Sequence, residues 1–95
     1  MFARHITLTA NSVSTVTITD SSSGFEVLNR NGLAEVFVSH DGTATPANPT
    51  INGNDFDVIP AAAGAGIRLR RAANTTMVIK LISAAATTVS VRGVE

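Results

Sequence analysis

Valine, isoleucine and threonine recur at every second position along most of this chain, and no window of eleven or more residues keeps an apolar stripe at helical spacing. Strands are therefore predicted at Ile6–Ala10, Val13–Thr19, Gly24–Arg30, Ala34–His40, Asp55–Ile59, Gly66–Arg71, Thr76–Ser83 and Thr87–Val94. Alternation assigns one face of each to a core. The expected set is Val16, Ile18, Phe25, Val27, Val36, Val38, Phe56, Val58, Ile67, Leu69, Met77, Ile79, Leu81, Val89 and Val91.

Punctuation between the runs supports the division. Asn31 and Gly32 both tolerate positive φ, which predicts a type I′ hairpin turn between the third and fourth strands. Asp20–Gly24 is a polar connector, Asn74–Thr75 a short turn, and Ala84–Ala86 a tight link between the last two strands. Residues 41–54 carry Pro46, Pro49, Gly42 and Gly53, so they form a long connecting loop, predicted to cross between sheets. Gly64 and Gly66 beside Pro60 allow a sharp corner. The expected architecture is one all-β domain over residues 1–95. It is a small antiparallel β-sandwich of about eight short strands, jelly-roll-like or immunoglobulin-like, with residues 1–5 as an N-terminal arm.

Composition narrows the function classes. The chain has 95 residues, seven basic and seven acidic groups, no cysteine, no tryptophan and no tyrosine. Zero formal net charge removes the electrostatic footprint of a dedicated nucleic-acid binder. Met1–His5 run into threonine-rich alternation rather than the apolar stretch of a secretory signal, so no export signal is expected. The most apolar window, Ile59–Ile67, is interrupted by Pro60 and two glycines and is far shorter than the ~20 residues that span a bilayer.

Candidate chemistry is sparse. Ser39, His40 and Asp41 are the residue types of a hydrolytic triad, but neighbours on a strand point to opposite faces and do not converge; His40 alone is a candidate to line a site. His5 is the other histidine, and no spacing suits zinc. Asp55 and Asp57 share a strand face at a spacing within the range of glycosidase carboxylate pairs. With Asn52 and Asn54 before them they also offer oxygen ligands for calcium, though not at EF-hand spacing. Gly64-Ala65-Gly66 is followed by strand alternation, not the helix N-terminus that a dinucleotide site requires. No catalytic residue and no cofactor is expected. Arg68 and Arg70 share one face opposite Ile67 and Leu69, and Arg71 extends this basic ridge, which suits either a solvated edge or docking to an acidic protein surface. Outer faces rich in Thr, Ser and Ala lose little rotamer entropy on association and so suit contact with sister subunits.

Taken together, Val27–Gly32, Ala34–Thr43, Pro46, the turn at Gly53, Val58–Ala62, Val78–Ser83 and Val89–Gly93 resemble, in their order along the chain, small β-sandwich virion proteins of tailed bacteriophages of actinobacterial hosts, of the head-decoration or minor-capsid type. The resemblance covers about residues 13–93; the chain departs from it in lacking a tyrosine in the final hairpin and in carrying Asn48–Ile51 within the loop. It implies a structural, non-enzymatic protein of the capsid surface, assembled in the host cytoplasm. Its partner would be the major capsid protein, and it would form a homo-oligomer, a trimer in first place, without nucleic-acid or membrane contacts. The candidate contacts are Phe2, Arg4 and His5 of the arm, Asn48 and Ile51 of the long loop, and Arg68, Arg70 and Arg71 of the ridge. The alternative is a receptor- or glycan-binding module of a fibre or tail, with a polar pocket in the long loop and no Trp or Tyr to furnish it.

Overall fold

The structure is a computed structural model that describes residues 3–18, 24–41, 45–53, 56–70 and 76–94. Eight strands and no helix occur among these residues: β1 (Ala3–Leu8), β2 (Ser14–Ile18), β3 (Gly24–Asn29), β4 (Val36–Ser39), β5 (Asp57–Ile59), β6 (Ala65–Arg70), β7 (Met77–Ser83) and β8 (Thr87–Val94). They form two four-stranded antiparallel sheets, ordered β1-β8-β3-β6 and β2-β7-β4-β5. Every connection except β4 to β5 passes from one sheet to the other. This is the jelly-roll order. An immunoglobulin-type sandwich places its first two strands side by side, whereas here β1 neighbours β8.

Alternation explains the core. Leu8, Phe25, Val27, Leu69, Val89 and Val91 of the first sheet face Val16, Ile18, Val36, Val38, Ile59, Met77, Ile79 and Leu81 of the second, all buried in one cluster. Each fully buried aliphatic or aromatic side chain contributes roughly 1.5–3 kcal/mol. The expected core is therefore present with one shift at β5. Val36 pairs with Ile59 and Phe37 with Val58. That register turns Ile59 inward and leaves Val58 39% exposed, with Phe56 half-buried ahead of the strand. A slip of one residue exchanges the faces of a strand, and in a three-residue strand the pattern is too short to fix it.

Three connections differ from expectation. The Asn31-Gly32 hairpin does not form: β3 and β4 lie in different sheets. A type I′ turn needs positive φ at both central residues, and here Gly32 (φ 65°) has it while Asn31 does not. Both edges of β3 are already taken by β8 and β6. Likewise β7 and β8 are not a hairpin; Ala84–Ala86 carry the chain between sheets. The long loop, in contrast, does not cross, because β4 and β5 are antiparallel neighbours. The crossing comes next, at Pro60–Gly64, where Gly64 takes φ 85° as the glycine corner requires.

The expected arm is also corrected. Ala3, Arg4 and His5 pair with Arg92, Val91 and Ser90, so β1 begins within it. The β-branched β8 offers a free edge that these residues complete. Phe2 and Arg71, like the Asp20–Ser23 connector and the Asn74–Thr75 turn, lie outside the described residues. No helix among the described residues is long and apolar enough to cross a membrane.

Candidate functional site

The two outer faces of the sandwich differ. On the β1-β8-β3-β6 sheet the pairings Glu26↔Arg92 and Glu26↔Arg68 place three charges in one row across three strands. Arg92 donates from Nε to Glu26 Oε1 at 2.8 Å and from Nη2 to the same oxygen, while Arg68 Nε lies 3.5 Å from Oε2. The Arg92 hydrogen bond, aided by the charge of both guanidiniums, holds the Glu26 carboxyl below its ordinary pKa despite an opposing desolvation effect. Arg68 remains 74% exposed, and Arg70, opposite Gly24, is exposed at the end of the same strand. His5 joins this face from β1, with Nδ1 2.6 Å from Ser90 Oγ. Its surroundings are Thr7, Thr88 and Ser90. Three arginines against one glutamate give this face a positive excess among its described residues.

Arg68 and Arg70 share a face as read from alternation, while Arg71, the third member of the expected ridge, lies outside the described residues. Sequence reasoning missed Glu26 and Arg92, which complete it; the cross-strand register that unites them is not encoded locally. Arg4 does not belong to it, since it alternates with Ile6 and Leu8.

The outer face of the β2-β7-β4-β5 sheet is buried in its middle and exposed at Thr15 and Thr17 of β2 and Val58 of β5. Strand β7 is buried at every position but Lys80, and Phe37, Val78 and Ile82 are buried although they point away from the core. Lys80 Nζ donates to Asn48 Oδ1 at 3.0 Å, which ties the 45–53 segment over this face. Pro46 and Pro49 are buried there, and a turn closes with Gly53 N donating to Thr50 O at 3.0 Å. Of the expected loop contacts, Asn48 thus serves the chain itself and Ile51 is half-buried. The structure does not bring them together with the arginine row.

A cleft of about 360 Å³ opens where this strap leaves β4 and returns to β5. His40 follows β4, Asp57 begins β5, and the pairing Val38↔Asp57 brings His40 Nε2 to 2.7 Å from Asp57 Oδ2. The two side chains are 24% and 55% exposed. Asp41, Pro46 and Phe56 complete the lining. Phe56 was expected in the core; instead its ring rests where Gly53 has no side chain, since a Cβ there would lie 2.7 Å from Phe56 Cδ2. No hydrogen bond joins Ser39 to His40 among the described residues, so the neighbouring triplet forms no nucleophile–base pair. Asp57 pairs with His40, and Asp55 lies outside the described residues. No group of three or more His, Cys, Asp or Glu suited to a metal occurs among the described residues.

Neither a protein-family model, nor a curated protein, nor a solved structure matches this chain.

Proposed function

We propose that the protein is a structural component of a bacteriophage virion that docks on the outside of the capsid shell through the outer face of the β1-β8-β3-β6 sheet and reinforces it. The observation that carries this is the asymmetry of the two faces: the middle of one is buried, with Asn48 of the chain's own strap bonded to Lys80 across it, whereas the other carries the exposed Arg92–Glu26–Arg68 row with Arg70 and no such strap among the described residues. Such a face suits an acidic protein surface, where complementary charge fixes register and hastens encounter. Among the described residues it carries no Phe, Trp or Tyr on which bases would stack. Jelly rolls recur in viral capsid domains, an analogy of fold alone.

The dimensions set how it acts. Four strands about 4.8 Å apart and six residues at about 3.3 Å give a face of roughly 400 Å², half of the ~800 Å² per partner of a standard interface. One copy therefore holds weakly. Association with sister copies, as in the expected trimer, keeps undocked copies near their sites and raises the effective concentration. A protein that prefers the assembled shell to free capsid subunits shifts assembly toward the intact shell by that difference.

Co-sedimentation with shells of the virus's own major capsid protein tests this. The native chain is expected to pellet with shells, and the Arg68→Glu, Arg70→Glu double variant to lose most of that binding. A chain that never associates with shells, or a double variant that binds equally well, contradicts it.

A further inference from the structure

The cleft beside His40 has no part in the docking face, and its chemistry points elsewhere. Among the described residues its lining holds the carboxylates Asp41 and Asp57 and neither lysine nor arginine, which disfavours phosphates and acidic sugars. Asp57 is met by His40 through Oδ2, which holds the carboxylate in place and takes up neither its second oxygen nor the imidazole Nδ1. The same lining holds Phe56, Pro46 and Ala47, with the buried Val38 paired beside Asp57. At about 360 Å³ the cleft is near the lower end of the ~300–1,000 Å³ of small-molecule sites, enough for a single ring.

A carboxylate fixed by an imidazole in one cleft with Phe56 and Pro46 matches a molecule with hydroxyls on its rim and C–H bonds on its face. We infer that the His40–Asp57 cleft binds one neutral pyranose, with Asp57 accepting from its hydroxyls, His40 contributing through Nδ1, and Phe56 covering its apolar face. The sugar is either free or the end of a glycan chain; the recognising chemistry is the same. Gly53 makes this possible from outside the cleft, because any side chain there would displace the Phe56 ring.

Backbone amide chemical shifts of the full chain test this, titrated with methyl glycosides of neutral hexoses, with neutral oligosaccharides, and with methylamine as a cationic control. Saturable shifts are expected at residues 38–41, 46–47 and 56–57 with at least one sugar, in the millimolar range. Response to the glycoside assigns a free sugar, and response to the oligosaccharide alone assigns a chain end. Asp57→Asn is expected to weaken the response at least tenfold, and Phe56→Leu, which keeps an apolar side chain but removes the ring, to weaken it severalfold. A cleft that answers to no sugar, answers only to methylamine, or binds equally well in both variants overturns the inference.

Discussion

Thr87 Oγ1 lies 2.8 Å from Asn29 Oδ1, a buried hydrogen bond between residues 58 positions apart that joins the end of β3 to the start of β8. Asn29 is fully buried and uses all of its amide: Oδ1 also accepts from Gly32 N at 3.2 Å, and Nδ2 donates to Ala34 O at 2.8 Å and Pro60 O at 3.0 Å. One side chain thus holds three of the connections that pass between the sheets. The Thr87 hydroxyl is shared with Asn31 Oδ1 at 2.6 Å, and Asn31 accepts from Thr88 N as well. These bonds take the place of the hairpin that the Asn-Gly pair suggests.

Asn29→Ala removes the side-chain partner of the Gly32 amide and of the Ala34 carbonyl and one of the two donors to the Pro60 carbonyl, at a fully buried side chain, and is expected to cost about 2–4 kcal/mol. Thr87→Val, which keeps the shape and removes one partner, is expected to cost about 1–2 kcal/mol. The double variant should fall short of the sum, since both act on one network. Urea unfolding midpoints of the four proteins check this.

Gly32 and Gly64 both adopt positive φ, yet they should answer differently to alanine. A Cβ on Gly32 would lie 2.4 Å from Ala63 N and 2.6 Å from Ala62 C, backbone atoms of the crossing corner, whereas one on Gly64 meets nothing within 4 Å. Gly64→Ala is expected to cost about 1–2 kcal/mol for the left-handed backbone alone. Gly32→Ala adds a backbone collision and should cost at least about 3 kcal/mol or prevent folding. Thermal unfolding of the two variants separates the effects.

The same contrast shows what the sequence makes legible. Period-two alternation placed all eight strands within a few residues, because each strand has one face against the core and the pattern is local. The ends of β8 agree to the residue, and the Arg68/Arg70 face follows from alternation alone. Partners were not legible. Asn-Gly between two strands favours a hairpin locally, but the burial of Asn29 among three loops is a tertiary arrangement that overrides it. The cleft depends on the β4–β5 register, which brings His40 to Asp57 across a connection whose composition announces only irregularity. Asp57 was singled out for its spacing to Asp55, and its partner proved to be the histidine.

The strap held by the Lys80–Asn48 bond should loosen before the sandwich does. Asn48→Ala removes the acceptor of Lys80 and is expected to cost under about 1 kcal/mol of global stability, because the bond is solvent-exposed. Local opening should rise far more. Hydrogen exchange is expected to accelerate at the Gly53 amide, which closes the Thr50 turn, while the amides of β7 stay protected.

Glu26 gives the fold a pH dependence of defined sign. Its carboxyl is held below the ordinary range, chiefly by the hydrogen bond from Arg92, so it stabilises the fold at pH above the unfolded pKa. That contribution is lost as pH falls through the lowered folded value. Glu26→Gln is expected to destabilise by under about 1 kcal/mol at neutral pH and to flatten the acid limb of stability against pH, measured by urea unfolding across the acid range.

A density map of capsid shells reconstituted with and without the protein addresses the docking face most directly. The predicted result is extra density that fits the sandwich with β8 and β3 toward the shell, Arg68 and Arg70 at the contact and the strap facing solvent. Density with the strap toward the shell, or shells that remain bare at saturating protein, would contradict it.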